Sequence, residues 1–153
     1  MGEMRMNHNA ALVKIADENS ENILKIINSL EDVYGFKNAF SDYKGKIGRT
    51  QLSKLLNAIR SANSVEEIKL FIKYQESRKI GWDQKCDEKS LAETLLDKIN
   101  EVMELSEKQD FAKYGLELRE VKLKMAEKFF GYLYWQGTVY AKENKPEKNG
   151  GRR

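Results

Sequence analysis

Apolar residues recur at helical spacing in one segment of this chain after another, and alternation of period two never persists. An amphipathic helix repeats its apolar side chains at three- and four-residue steps, whereas a half-buried strand repeats them at every second residue. The spacing therefore predicts an all-α fold with no strand, a compact helical bundle of about five helices with a long C-terminal helix. Proline breaks helix interiors, and the one proline stands in the C-terminal tail. With 153 residues the chain is long enough for a single core without disulfide staples.

Three regions are expected: a loose or partly helical N-terminal segment 1–16, a helical domain 17–142 and a disordered basic tail 143–153. Ser20 is the expected cap of the first clear helix, in which Ile23, Leu24, Ile26, Ile27 and Leu30 recur. A connector follows whose four aromatics, Tyr34, Phe36, Phe40 and Tyr43, should pack back on the bundle. Thr50 is expected to cap a second helix with Leu52, Leu55, Leu56, Ile59 and Ala62 inside. Ser64 with Glu67 forms a capping box for the third, which Gly81 would stop. Asp87 or Ser90 opens the fourth, with Leu91, Leu95, Ile99 and Val102 on one face. The last helix is expected from near Asp110 to Ala141, roughly 45 Å at the α-helical rise.

That last helix carries two apolar stripes. Phe111, Tyr114, Leu118, Val121, Met125, Phe129 and Tyr132 can face the core. Leu116, Leu123, Phe130 and Tyr134 form a second stripe on another side, and a helix apolar on two sides is buried on two sides. The second stripe either packs within the bundle or meets another protein, which makes its four residues the candidate protein interface. Trp135 and Tyr140 suit an interface anchor or a core end-plug.

Reactive groups are sparse. His8 is the one histidine, and Cys86 the one cysteine, so neither a His-rich metal site nor a disulfide framework is expected. No glycine-rich phosphate loop of the Walker or dinucleotide type occurs. Enzyme activity and cofactors are therefore not expected. No apolar run reaches the length of a membrane span, and a cytoplasmic protein is expected.

Charge is unevenly placed. Residues 44–79 hold nine of the 27 basic residues and three acids, a balance of +6 in a chain of +3. Such segregation is the electrostatic footprint of a polyanionic partner. Lys44, Lys46 and Arg49 crowd the entry to the second helix, whose N-terminal N–H groups could hold phosphate beside them. Lys54 and Arg60 follow on that helix, and Lys69, Lys73, Tyr74, Arg78 and Lys79 on the next or just beyond it. Cations beside a flat side chain suit single-stranded nucleic acid, so these ten are the candidate RNA-binding residues.

Three short motifs add a likeness. Thr50-Gln51-Leu52-Ser53-Lys54-Leu55-Leu56 opens a helix, Tyr74-Gln75-Glu76-Ser77-Arg78 ends the next, and Phe129-Phe130-Gly131-Tyr132-Leu133-Tyr134-Trp135 fills the last. In these the chain resembles the small subunit of type III-A CRISPR interference complexes, the Csm complex, over about residues 20–141. It departs from that pattern at Gln136, where a histidine would be looked for. The resemblance implies a non-catalytic bundle that contacts guide and target RNA, bridges backbone and large subunits, and stacks with copies of itself. Lys44, Lys46, Arg49 and Lys54 would match the family's basic helix entry, and Lys73, Arg78 and Lys79 its basic helix end. Two other functions fit the same residues: a helix-turn-helix DNA regulator and a helical adaptor between proteins.

Overall fold

The computed structural model describes residues 7–144. Six α-helices follow in order: α1 His8–Glu18, α2 Ser20–Ser29, α3 Arg49–Arg60, α4 Val65–Ser77, α5 Leu91–Glu107 and α6 Leu118–Glu143. Single 3-10 turns stand at Leu30–Asp32, Lys37–Ala39 and Ala112–Tyr114. The helical, compact architecture with a long final helix is the expected one. α6 is its mast, and each of the other five α-helices packs against it.

Of the expected N-terminal segment 1–16, residues 8–16 belong to α1 and residues 1–6 lie outside the described residues. Asn7 caps α1, its side chain accepting the N–H groups of Asn9 and Ala10, and Ala11, Ile15 and Ala16 are buried. Ala11 and Ile15, four residues apart, share one helix face, and that seats this short apolar patch. His8 Nε2 lies 2.6 Å from Glu120 Oε2, which ties the start of α1 to α6. Of the expected 143–153 tail, Glu143 ends α6 and residues 145–153 lie outside the described residues. Ser20 is the first residue of α2 rather than its cap. Asn19 stands before it, buried, donating its side-chain amide to the Ile15 carbonyl and to Gln109 Oε1.

Half of the connector's aromatics pack inward. Phe36 and Phe40 are fully buried against each other and against Tyr140, while Tyr34 and Tyr43 face outward. Asn144 closes this side, donating to the carbonyls of Lys37 and Phe40. A two-residue hairpin corrects the expectation of no strand: β1 Lys85–Cys86 pairs antiparallel with β2 Lys89–Ser90. Asp87 in the tight turn takes a φ of 62°. Ser90 then caps α5, sharing a reciprocal pair of hydrogen bonds with Glu93.

α6 starts eight residues later than the expected Asp110, because Gly115 takes a left-handed φ of 74° that interrupts the approach. Its 26 residues span about 39 Å. Of the four residues expected as a protein interface, two are buried and two half-buried. Leu116 and Phe130 are 5% and 1% exposed, and Leu123 and Tyr134 pack against the core. Both apolar stripes are used inside the chain, because helices flank α6 on more than one side. Phe129 and Phe130 meet edge to face at 5.0 Å between them.

Candidate nucleic-acid interface

The basic stretch folds as a loop, a helix, a short turn and a second helix. The loop is closed by two hydrogen bonds, Ser41 N–H to the Ile47 carbonyl and Ile47 N–H to the Ala39 carbonyl. This closure holds Lys44 and Lys46 in a fixed arch. Gly48, not Thr50, precedes the first turn of α3. A Cβ at Gly48 would stand 2.7 Å from Asp42 Oδ1, so the approach of Asp42 requires glycine there.

Two contacts then join the start of α3 to the end of α4. Gln51 Nε2 donates to the Ile80 carbonyl at 3.2 Å, while its Oε1 accepts the Gly48 N–H at 3.0 Å. Gly81, with a φ of +134°, lies so close to the loop that a Cβ would fall 2.8 Å from Ile47 and 3.3 Å from the Lys46 carbonyl. α4 itself ends earlier than the expected Gly81 stop, at Ser77, and Lys79 carries the left-handed turn with a φ of 57°. Lys44, Lys46, Arg49, Arg78 and Lys79 therefore gather at one end of the α3–α4 pair. Tyr74 stands one turn before Arg78, whose guanidinium carbon lies 5.8 Å from the ring centroid. Tyr74 and Leu70 are 56% and 68% exposed, so neither packs on the fifth or sixth helix.

Not every expected residue joins this end. Lys54 and Lys73 are exposed on the outer faces of α3 and α4. Lys69 is half-buried and lines a separate depression with Glu104, Glu107, Arg119 and Lys122. Arg60 lies at the far end of α3 and lines a groove with α1 and α6. The ten residues thus divide into a basic end, two outward lysines and two outliers.

Pairing is rarer among these cations than elsewhere, although Lys25, Lys85, Lys108, Lys113 and Lys142 also have no carboxylate partner among the described residues. From Lys44 to Lys79 only Arg49 makes an ion pair among the described residues, with Asp42 at 2.8 Å. Elsewhere Lys14, Lys37, Lys89, Lys98, Arg119, Lys122, Lys124 and Lys128 all have carboxylate partners. A cation without an internal partner keeps its full field for an external anion.

Asp42 corrects one expectation. Its Oδ1 accepts the Arg49 backbone N–H and its Oδ2 the guanidinium, so the protein's own carboxylate sits where phosphate was expected at the start of α3. The Arg49 side chain, then its backbone N–H, hold the Asp42 carboxyl below its ordinary range. Nothing in the sequence spacing announced this, because the pair spans a loop. A regulator's recognition helix is no better served: α4 begins with Glu66 and Glu67 in its first turn.

Among the described residues, no group of three or more His, Cys, Asp or Glu is placed to hold a metal ion, and no helix is long and apolar enough to cross a membrane. No family model, curated protein or solved structure matches the chain.

Proposed function

We propose that the protein is a non-catalytic, RNA-binding structural subunit of a type III CRISPR effector ribonucleoprotein acting in the cytoplasm in antiviral defence. Guide and target RNA would be its nucleic-acid partners, with the complex's backbone and large subunits and further copies of itself as protein neighbours. The family part of this proposal rests on the three short motifs. The RNA part rests on one observation: cations without internal partners gather where the start of α3 meets the end of α4, beside an exposed tyrosine. Phosphates would lie along Lys46, Arg78 and Lys79, with Tyr74 offering a face for a base. Lys54 and Lys73 would extend the track over the outer faces of the two helices.

A helical adaptor would need a surface other than the stripe of Leu116, Leu123, Phe130 and Tyr134, of which two residues are buried and two half-buried within the chain. The deciding measurement is the salt dependence of binding to single-stranded RNA, compared with duplex DNA. Replacing Lys46, Lys54, Lys73, Arg78 and Lys79 by Ala should weaken RNA binding and lower the log–log salt slope by about 0.7 per lost phosphate contact. An unchanged affinity and slope would end the proposal, and a preference for duplex DNA would favour a regulator.

A further inference from the structure

α6 carries two glycines within its helical span that differ in kind. At Gly137 a Cβ would meet Leu52 at 2.8 Å and Phe40 at 3.2 Å, so close packing against α3 and the connector explains it. At Gly131 a Cβ would meet nothing within 4 Å. Glycine in a helix interior costs about 1 kcal/mol relative to alanine, and here no neighbour within the chain compensates. What Gly131 does is leave a gap in the floor of a groove of about 500 Å³ between α1, α3 and α6.

The lining of that groove is chemically specific. Trp135, one turn beyond Gly131, is 66% exposed although tryptophan is among the most strongly buried side chains on average. Tyr132 lies beside it, with ring centroids 5.8 Å apart and planes tilted by 52°. Lys128 is engaged by Asp17 at 2.6 Å and Lys124 by Glu127 at 3.4 Å. Arg60 is the lining cation that has no carboxylate partner among the described residues. Ser53 and Asn57 add polar groups on the α3 wall.

An open aromatic face, an unpaired guanidinium and a gap without a side chain match a flat ring joined to an anion. We propose that this groove binds one unpaired nucleotide of RNA, its base stacked on Trp135 over Gly131 and its phosphate beside Arg60. The site rests on the RNA function proposed above, yet it lies apart from the basic end of α3 and α4. It would hold one base inside a groove, where the basic end follows the backbone and offers only the open face of Tyr74, because stacking acts on bases and ion pairing on phosphates.

Trp82 is buried, so changes in tryptophan emission on adding ligand to the full chain report Trp135. Adenosine monophosphate and a short single-stranded oligoribonucleotide are the probes. Both should quench the emission, and Trp135→Ala and Arg60→Ala should each weaken oligonucleotide binding by roughly tenfold. Gly131→Leu should fill the groove and weaken binding similarly while holding or raising Tm, since leucine favours a helix over glycine. A purely structural glycine would not separate those two readouts in that direction. Absence of quenching by both probes overturns the proposal. So does unchanged oligonucleotide affinity in the Trp135 and Gly131 variants; if the Lys46 and Arg78 variants still lose affinity, the RNA function stands without the groove. If Trp135→Ala instead dissolves a dimer in sedimentation and leaves nucleotide binding intact, the groove is a protein contact and the proposal falls.

Discussion

The side-chain amide of Gln51 bridges two backbones: it accepts the Gly48 N–H and donates to the Ile80 carbonyl. One residue thereby caps the start of α3 and fastens it to the chain just beyond α4. Neither bond belongs to a helix ladder, so no other side chain replaces them. Gln51→Ala should destabilise the fold by about 1–3 kcal/mol, read by urea unfolding. It should also weaken single-stranded RNA binding, because Lys46 and Arg78 would no longer be held beside each other. Intact affinity in a destabilised variant would show that the two halves of the basic end act separately.

Asp42→Asn removes the carboxylate that occupies Arg49 while keeping a side chain that can accept the Arg49 N–H. The freed guanidinium should raise RNA affinity roughly three- to fivefold at low salt, and less at high salt, in a filter-binding titration. A fall in affinity would mean that Asp42 orders the site rather than competing for it. The sign of its own titration follows from its lowered pKa. The Asp42–Arg49 contribution to stability is present above the ordinary aspartate range and is lost as pH falls through the lower folded value.

Phe130 tests where the second stripe of α6 points. It is fully buried, so Phe130→Ala should cost about 3–5 kcal/mol in urea unfolding. Under conditions where the variant is still folded, sedimentation should show its oligomeric state unchanged. A stable variant with altered association would return this residue to an interface.

Burial pushes the Cys86 thiol up to about 11, and the nearby charge of Lys46 offsets only part of this. The folded chain therefore keeps a proton that the unfolded chain, with a thiol near 9, releases. That stabilisation is whole below the unfolded value and disappears as pH rises through the folded one. Urea midpoints should fall between those two values, and Cys86→Ala should flatten that part of the curve. In the native protein a thiol-reactive disulfide reagent at mildly alkaline pH should react about a hundredfold more slowly than in urea, from thiolate fraction alone.

Helical periodicity made the bundle legible, since Leu52, Leu55, Leu56 and Ile59, and then Leu91, Leu95, Ile99 and Val102, lie on the buried faces expected of them. The position of α1 was less so. Ala11, Ile15 and Ala16 are few and small, and their burial depends on the distant surface of α6. Caps failed where a tertiary neighbour decided them: Gly48 precedes α3 because Asp42 crowds it, a fact Thr50 could not reveal. The two-residue hairpin is too short for any period and depends on the backbone of Asp87. For the candidate site, the unequal charge of residues 44–79 was visible, but their division was not. Arg60 and Lys69 share a stretch of sequence with Lys46 and Arg78, yet their helix faces turn them elsewhere. Periodicity also says that Phe130 is buried without saying by what, and it cannot tell Gly131 from Gly137.

α6 stands last in chain order among the described helices, yet α1 to α5 all rest on it. A ribosome releases α1 to α5 first, and α1, α2, α3 and α5 each carry an apolar face whose main partner has yet to be made. The nascent chain should therefore stay vulnerable to chaperones and aggregation until its final helix clears the exit tunnel, and then close quickly. Rare codons or stalling just upstream of Leu118 would lengthen that exposed interval more than the same delay anywhere earlier.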